Sequence, residues 1–484
     1  MNRRSFLASA AGFGALAVSP EIALAAAANS GDWTLAVADV EADVAPHAMR
    51  RVHGRAPAGL EGVLFRNGPA KFRRPGGSVT HWFDGDGLVR RCALADGQAT
   101  CAARFADTRK RRVDAAADAV VTPGFGTVGD PKVRVAGPDD VNAANISVMQ
   151  AGAQLWALWE AGSPLMMDPQ TLETRGFHTF RDDLKGMPFL AHPRFEPDGR
   201  VWNLGVAGRR AIVWRLAADG ALELAQPIEL PRASYLHDFS ATERHLVIVL
   251  QPWVHEKQVA PVAAGYVWKP SEGVQILVLD KADITKRRVF EVPAFSFFHM
   301  ADAWEEADGT IRLDLCSEES PEFALAGAQG LLQGRLIDSP PPLLTRITLR
   351  PDGKGEALRL GPTAEFPKGD PRFAGRRRDY DVFLGGGAPD QPLFTAVSVR
   401  DGKAGRIRTH DFGRGHIVEE MVFAPRPGSS AEFDGWLVGT SINLKARATE
   451  LHVFDARRVD AGPLVTWRAD VALPITFHGF FAPA

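Results

Sequence analysis

Four of the thirteen histidines occupy similar local sequences, and imidazole is a side chain that binds metal ions. Each follows apolar or aromatic residues, as at the end of a β-strand; they are His192, His237, His299 and His478. Neutral imidazole suits iron, zinc, copper and nickel, and four imidazoles around one ion leave coordination positions open for a further ligand. A closed tetrahedral zinc site is the structural alternative. Since each histidine alone could equally be a hydrogen-bonded core residue, their spacing supports only a metal-site hypothesis.

The elements that would position these histidines are short β-strands. From Gly59 onward, runs rich in Val, Ile, Leu, Phe and Trp alternate with Asp-Gly, Asn-Gly and Gly-Gly turns, as in 195–202 and 304–311. Helical periodicity is limited to the neighbourhoods of 112–119 and 323–336. This number of hairpins is more than a single β-sandwich can hold, but a β-propeller accommodates them by radial repetition. We therefore predict an all-β propeller, whose converging strand ends would bring distant histidines together.

The charge distribution argues against a nucleic-acid partner. The chain has 56 basic and 58 acidic residues, and its basic residues are scattered apart from the short runs at 109–112 and 376–378. Such short runs are typical of solvated faces rather than of a basic binding surface.

The first residues are typical of an export signal. Arg3-Arg4-Ser5-Phe6-Leu7 leads into a weakly apolar Gly/Ala-rich run that ends near Ala25. This run is too short and too poor in Leu and Ile for a spanning helix, the alternative interpretation. We predict a twin-arginine signal peptide over 1–28 that is removed, a single propeller domain over 29–484 and a periplasmic protein that loads its metal before export.

Two of the three cysteines can face each other across a hairpin. If Asp96-Gly97 is a two-residue loop, Cys92 lies opposite Cys101 in a non-hydrogen-bonded pair, with Cα atoms about 4.5 Å apart. That distance allows a disulfide, and two half-buried thiols are the alternative. Cys316 has no evident partner.

Several short motifs in order along the chain resemble the carotenoid cleavage oxygenases, a family of seven-bladed propellers that hold a non-haem iron. They are 65–69, 81–88, 157–160, 168–174, 191–193, 237–239, 420–426, 434–436 and 477–479. The resemblance implies a seven-bladed β-propeller with short helices and loops capping the active-site face. It also implies that the four histidines bind one Fe(2+) per chain, with O2 as co-substrate. The implied activity is that of a dioxygenase that cleaves a carbon–carbon double bond of a carotenoid or apocarotenoid to aldehyde or ketone products.

The family places three glutamates behind its iron ligands. Four neutral ligands leave the charge of the metal uncompensated, and carboxylates that accept an imidazole N–H both orient the ring and supply negative charge. Matching the family motifs gives Glu160, Glu365 and Glu420. At the last motif the family usually has Glu-Pro, and Met421 departs from it, so that Glu419 competes with Glu420 for this role.

The residue before the first of these glutamates bears on the substrate. Family members that cut phenolic stilbenes have a Lys there and a Tyr upstream, both of which bind the substrate hydroxyl. Here Trp159 precedes Glu160, no tyrosine lies upstream, and the aligned upstream position is Arg111. Because a pocket built to bind a hydroxyl discriminates strongly, these changes favour an apolar polyene. The same iron chemistry on a stilbene or phenylpropenoid is one alternative, and a non-catalytic or zinc-binding propeller is another.

Aromatic residues beside the histidines and glutamates are candidates for lining a substrate tunnel: Trp159, Phe297, Phe298, Phe477 and Phe480. Packing behind the metal is their alternative role. Family members often reach lipid-dissolved substrate through an apolar patch at the tunnel mouth. The segments 323–332 and 340–344 are candidates for such a peripheral membrane contact, with interior packing as the alternative.

Overall fold

The computed structural model describes residues 32–336, 339–387 and 390–484, and antiparallel β-sheet dominates them. Seven sheets form the blades of a β-propeller, which confirms the architecture expected from the sequence. The segment 1–28, for which we predict a signal peptide, lies outside the described residues. Among the described residues, none of the helices has the length and apolar character needed to cross a lipid bilayer.

The N-terminal strands build the outer parts of the last two blades and one small hairpin. They are β1 (Val44–Ala48), β2 (Arg50–Gly54), β3 (Gly62–Lys71), β4 (Arg73–Arg74), β5 (Gly77–Ser78), β6 (Asp86–Ala95) and β7 (Gln98–Phe105), followed by helix α1 (Arg109–Ala117). β4 and β5 pair only with each other.

Blades one to three follow along the chain, each with its innermost strand first. Blade one comprises β8 (Ser147–Ala151), β9 (Gln154–Leu158), β10 (Leu165–Met167) and β11 (Thr174–Phe177). Blade two comprises β12 (Arg194–Phe195), β13 (Val201–Ala207), β14 (Arg210–Leu216) and β15 (Leu222–Glu229). Blade three comprises β16 (Ser240–Ala241), β17 (His245–Leu250), β20 (Val274–Asp280) and β21 (Arg287–Val292), and a separate hairpin of β18 (Trp253–His255) and β19 (Tyr266–Trp268).

Blades four to seven complete the ring. Blade four comprises β22 (Ser296–Glu305), β23 (Ile311–Glu318), β24 (Leu343–Leu349) and β25 (Gly355–Thr363). Blade five comprises β26 (Glu365–Lys368), β27 (Tyr380–Gly385), β28 (Ala396–Asp401) and β29 (Arg406–Asp411). Blade six comprises β30 (His416–Val418), β31 (Val422–Pro425), β32 (Gly435–Asn443), β33 (Ala448–Asp455), β34 (Val465–Arg468) and β2, and blade seven comprises β35 (His478–Pro483), β3, β6, β7 and β1.

Strands from both ends of the chain close the ring. β1 pairs with β7 at the outer edge of blade seven, and β2, which follows it directly, pairs with β34 at the outer edge of blade six. The C-terminal β35 pairs with β3 and is the innermost strand of blade seven. Consecutive N-terminal strands thus cover the edges of two neighbouring blades.

The hairpin between β6 and β7 has the register expected from its turn. Asp96 and Gly97 have positive φ angles of 51° and 71°, as a two-residue loop of this type requires. Cys92 lies opposite Cys101 with a Cα–Cα distance of 4.2 Å, and the two form a disulfide. Cys316 is buried on β23.

Helical structure is short. In α1 the side chain of Thr108 caps the first turn, and Asp118 ends the helix in a left-handed conformation. A π-helical turn (Phe323–Gly327) runs into α2 (Ala328–Leu332), which ends earlier than expected because Gly334 has a positive φ of 68°. The remaining helical turns are of the 3-10 type: Trp33–Val37, Trp82–Asp84, Pro138–Asp140, Asp182–Leu184, Val262–Gly265, Pro270–Glu272, Pro371–Phe373 and Val459–Ala461.

Candidate metal centre

Four blades bring the four histidines to the propeller axis. His192 and His237 lie just before the inner strands β12 and β16, His299 lies within β22, and His478 begins β35. All four are buried. The inner strands of neighbouring blades pack against one another around the axis, as β16 does on β22 and β31 on β35. The ring geometry therefore makes neighbours of side chains that are far apart in sequence.

The Nε2 atoms of these histidines point at one another. The Nε2 atom of His237 lies 3.0 Å from that of His192 and 3.4 Å from that of His299, and the Nε2 atoms of His299 and His478 are 3.1 Å apart. One nitrogen from each ring lies within 4.8 Å of all the others. A metal–imidazole bond is about 2.1 Å long, so two nitrogens bound at a right angle lie about 3.0 Å apart. The four donors therefore fit one transition-metal ion with octahedral angles and leave further positions open.

Three glutamates accept hydrogen bonds from the opposite side of these rings. Nδ1–H of His237 donates to Glu160, and Nδ1–H of His299 donates to Glu365. These carboxylates fix each ring so that Nε2 faces the centre, and they make the imidazole a stronger ligand.

The third glutamate behind the histidines is Glu420. Nδ1 of His478 donates to Glu420 at 2.9 Å, and the neighbouring Glu419 instead contacts Arg90 at 3.3 Å and Arg66 at 3.5 Å. Glu419 also accepts the backbone N–H of Thr476 at 2.8 Å. Adjacent carboxylates thus have separate tasks, because one faces the histidine and the other anchors the segment that leads to it.

Each blade contributes one member of this set of four histidines and three glutamates. The histidines come from blades two, three, four and seven, and the glutamates from blades one, five and six. His192 is the histidine that has no glutamate partner among the described residues. It lies between the other rings, with centroids 4.5 Å from both His237 and His478.

Burial keeps most of these imidazoles neutral, as a metal ligand requires. It holds the pKa of His192 and His299 well below the usual range and lowers the pKa of His478 to about 3. Burial also lowers the pKa of His237, but its hydrogen-bonded partner Glu160 outweighs this effect and leaves it raised. Burial raises the pKa of Glu365 to about 8, so this carboxyl needs a nearby positive charge to ionise, and a metal dication would provide one.

Tyr235 belongs to this centre, although the motifs did not identify it. Its hydroxyl donates to Glu160 at 3.1 Å, and its ring stacks 6.3 Å from that of His237. Burial and the charge of Glu160 raise the pKa of Tyr235 well above the ordinary value, so that the phenol remains a donor. Its position two residues before His237 was the one available signal.

A cavity of about 1020 Å³ opens onto His237, His299 and His478. Most of its wall is apolar: Trp82, Phe83, Phe125, Ile146, Trp159, Phe298, Phe323, Leu331, Pro340, Pro341, Pro342, Phe366, Leu393, Phe394 and Phe477. This volume is at the upper end of small-molecule sites, and such a wall excludes water from a long apolar ligand.

Three of the five tunnel candidates lie in this wall, namely Trp159, Phe298 and Phe477. Phe297 does not, because successive residues of a strand point to opposite faces and Phe297 is buried in the core that blades three and four share. Phe480 lines a separate cavity of about 220 Å³, which His192, His299 and His478 also line, and its ring stacks on that of Phe65 at 5.3 Å. The expectation that these two residues line the tunnel was wrong.

Two further expectations concern the surroundings of the cavity. Arg111 is not among the described residues that line it; its guanidinium lies 4.2 Å above the ring of Phe105 on the outer part of blade seven. Leu331 of α2 is buried and lines the cavity, so it packs inward and does not form a surface patch. The exposed large hydrophobic residues at this cavity are Val135, Val262 and Leu336. Pro340 and Pro341 of the predicted segment 340–344 are also exposed and line the cavity, whereas Leu344 is buried.

The fold and the histidine centre at its axis are those of the carotenoid cleavage oxygenases, enzymes that incorporate oxygen and cleave carbon–carbon double bonds. The family model described as retinal pigment epithelial membrane protein (RPE65) matches residues 37–483, and the chain belongs to that family.

Individual relatives cover nearly the whole chain. It is 28% identical to the resveratrol cleavage oxygenase 1 of Aspergillus fumigatus, over 91% of this chain and 92% of that protein. It is also 28% identical to the apocarotenoid-15,15'-oxygenase of Synechocystis, over 89% of this chain and 92% of that protein. A solved structure of a Synechocystis apocarotenoid oxygenase mutant matches with a TM-score of 0.85 at 24% identity, covering 94% of this chain and 98% of that chain, which shows the shared fold.

Proposed function

We propose that His192, His237, His299 and His478 hold one Fe(2+), which the protein uses with O2 to cleave a double bond of a carotenoid or apocarotenoid. The observation that carries this proposal is that imidazoles with their donor nitrogens facing one point lie at the wall of a large apolar cavity. When bound, ferrous iron supplies the one-electron redox chemistry and the open coordination positions that O2 requires. The products would be two carbonyl compounds.

The residues of the chain have three tasks in this reaction. The imidazoles hold the metal, while Glu160, Glu365 and Glu420 keep the rings in orientation and balance its charge. The aromatic wall keeps water from the reacting double bond and aligns the polyene along the cavity. Tyr235 holds Glu160 in place behind His237.

The wall beside Glu160 favours a polyene over a phenolic stilbene. Trp159 presents an indole to the cavity where the phenolic cutters have a lysine, and Arg111 lies outside the cavity wall. An indole lacks the positive charge with which a lysine stabilises a phenolate, but its face covers an apolar chain. The cavity volume of about 1020 Å³ also has room for a substrate longer than a stilbene.

Two measurements on the purified protein test this proposal. About one iron per chain after anaerobic purification is expected, whereas stoichiometric zinc in an active sample would overturn the iron assignment. A panel of apocarotenals, β-carotene, resveratrol and isoeugenol, with aldehyde products identified by mass, should yield products from the polyenes. Iron without turnover of any polyene would refute the substrate class.

A stilbene or phenylpropenoid is the second candidate substrate. The chain is as similar to the resveratrol cleavage oxygenase of Aspergillus fumigatus as it is to the apocarotenoid-15,15'-oxygenase. Tyr266 lines the cavity and could bind a phenolic hydroxyl in place of the missing lysine. Efficient cleavage of resveratrol that falls strongly in a Tyr266→Phe variant would establish this alternative.

Peripheral contact with a membrane would give the cavity access to lipid-dissolved substrate. Its support is the set of exposed apolar residues at the cavity, Val135, Val262 and Leu336, which are 41%, 49% and 42% exposed. Replacing all three by Ser should reduce co-sedimentation with phospholipid vesicles. Leu358→Ser, at a 54% exposed site on β25 away from the cavity, is the control, and unchanged sedimentation of the triple variant would remove the proposal.

Export by the twin-arginine pathway and action in the periplasm complete the proposal. The motif Arg3-Arg4-Ser5-Phe6-Leu7 supports it, and the disulfide between Cys92 and Cys101 suits an oxidising compartment. The mature protein would then be one propeller domain starting near residue 29. Cell fractionation should find it in the periplasm, and an Arg3→Lys, Arg4→Lys variant should accumulate in the cytoplasm as the longer precursor. A variant that is exported equally well would contradict this route.

A further inference from the structure

Five glutamates line the large cavity, and among the described residues neither Lys nor Arg lines it. Four of the five have polar partners that account for their burial. Glu160, Glu365 and Glu420 accept from the histidines, and Glu419 pairs with Arg66 and Arg90. Glu318 is the fifth, and its burial has no such explanation.

Glu318 is the last residue of strand β23 and lies opposite Ser296 on β22. Ser296 is three residues before His299 on the same strand. Its side chain lines the cavity although the residue is only 7% exposed. Its Oε2 atom is buried and has no hydrogen-bond partner among the described residues. A buried carboxyl without a partner is costly, and an apolar residue at this position would avoid that cost.

The protonation state of Glu318 defines what it offers. Burial, together with the charge of Glu365, raises the pKa of Glu318 to about 8. Near neutral pH the carboxyl therefore holds its proton and presents one O–H donor and a carbonyl acceptor to the cavity. A neutral carboxyl is a good partner for a carbonyl or hydroxyl oxygen and offers nothing to a hydrocarbon.

We propose that Glu318 is a specificity residue that hydrogen-bonds an oxygen function of the substrate, an aldehyde or a hydroxyl on an otherwise apolar polyene. This inference rests on the proposed function and narrows it, because it selects oxygen-bearing apocarotenoids over hydrocarbon carotenes. A site built to hydrogen-bond a substrate oxygen disfavours the analogue that lacks it, since the buried polar group is then left unpaired.

The test compares binding rather than turnover, so that it remains informative if the cleavage reaction itself is assigned wrongly. The probes are an apocarotenal, the corresponding alcohol and the corresponding hydrocarbon with a terminal methyl group. Quenching of tryptophan fluorescence reports occupancy, because Trp159 and Trp82 line the cavity. Wild-type protein under anaerobic conditions should bind the aldehyde and the alcohol about 10- to 100-fold more tightly than the hydrocarbon.

Three variants connect this preference to Glu318. Glu318→Leu should lose the preference without loss of thermal stability, because it removes a buried unpaired carboxyl, and Glu318→Gln should keep most of it, because the amide is also a donor and an acceptor. Glu319→Gln is the matched control, since its carboxylate is 67% exposed and pairs with Arg359. An undiminished preference in Glu318→Leu, or wild-type protein without any preference, would overturn the proposal and leave Glu318 with a structural or water-binding role.

Normal binding preference together with no cleavage of any probe would instead refute the proposed function and leave the assignment of Glu318 intact. Cleavage of the polyenes together with equal affinity for all three probes would refute the assignment of Glu318 and leave the proposed function intact. In an active enzyme, the loss in Glu318→Leu should also appear mainly in KM for the aldehyde, with kcat little changed.

Discussion

Glu420 accepts a hydrogen bond from His478 at 2.9 Å and also lies 3.3 Å from the ammonium of Lys368. Despite burial, which raises the pKa of a carboxyl, the charge of Lys368 and the contact with His478 hold the pKa of Glu420 well below its usual range. It is therefore ionised and able to support the histidine as a metal ligand.

We predict that Glu420→Gln keeps the fold and weakens iron retention by about 10- to 100-fold, because an amide no longer offers negative charge to the imidazole. Competition with a chelator, followed by metal analysis, measures the change. The neighbouring Glu419→Gln breaks buried ion pairs with Arg66 and Arg90 and should instead lower the free energy of unfolding by about 3–5 kcal/mol. Unaltered iron retention in Glu420→Gln would refute its role.

Tyr235→Phe should loosen Glu160 and thereby speed the loss of iron. The variant keeps the ring packing on Trp253 but removes a hydrogen bond to a carboxylate, an interaction of about 1.5–3 kcal/mol. We expect faster iron dissociation with a melting temperature that is lower by about 2–4 °C. Tyr266→Phe is the control, since its hydroxyl makes no hydrogen bond to the residues that the structure describes. Equal dissociation rates in both variants would show that Tyr235 does not act through Glu160.

Phe297 should matter for the stability of the fold, and its neighbour Phe298 should matter for catalysis. Phe297→Ala creates a cavity in the core between blades and should cost about 3–5 kcal/mol of stability. Phe298→Ala enlarges the substrate cavity and should alter kcat/KM and the ratio of cleavage products with a smaller loss of stability. Thermal unfolding and product analysis by mass separate the two effects. The reverse pattern would place Phe297 in the cavity wall.

Glu318 should give the stability of the protein a measurable pH dependence. Its pKa is about 8 in the folded protein and near 4.5 in the unfolded chain, so unfolding in this interval releases a proton. Stability from this residue is fully present below pH 4.5 and is lost as pH rises to about 8. The side chain at this position in Glu318→Gln does not titrate. The melting temperature of the variant minus that of the wild type should therefore increase as the pH rises from 5 to 8.

Glu365 also has a raised pKa and interacts with Glu318, so the difference between the two proteins reports the titration of Glu318 together with any change it causes in the pKa of Glu365. Glu319→Gln should show the same pH profile as the wild type, because its side chain is largely exposed. A constant difference between Glu318→Gln and the wild type over this range would mean that the carboxyl is ionised throughout.

Features that depend on short stretches of sequence could be predicted. The Asp96-Gly97 turn determined the hairpin register and thus placed Cys92 opposite Cys101, because a two-residue loop leaves one pairing. The abundance of such turns indicated an all-β fold, and the motifs around the histidines and glutamates identified residues that the structure brings together at one point. Turn chemistry and motif matches are local, so they need no knowledge of the packing.

Only the tertiary structure decided between adjacent residues of the same kind. Glu419 and Glu420 are residues of the same type, as are Phe297 and Phe298, so residue type alone cannot distinguish the members of each pair. Their side chains project in different directions, and bulges within β22 shift its register. The partners of Tyr235 and the isolation of Glu318 likewise depend on which blades meet at the axis. Those contacts join residues far apart in the chain, and ring closure by the terminal strands determines them.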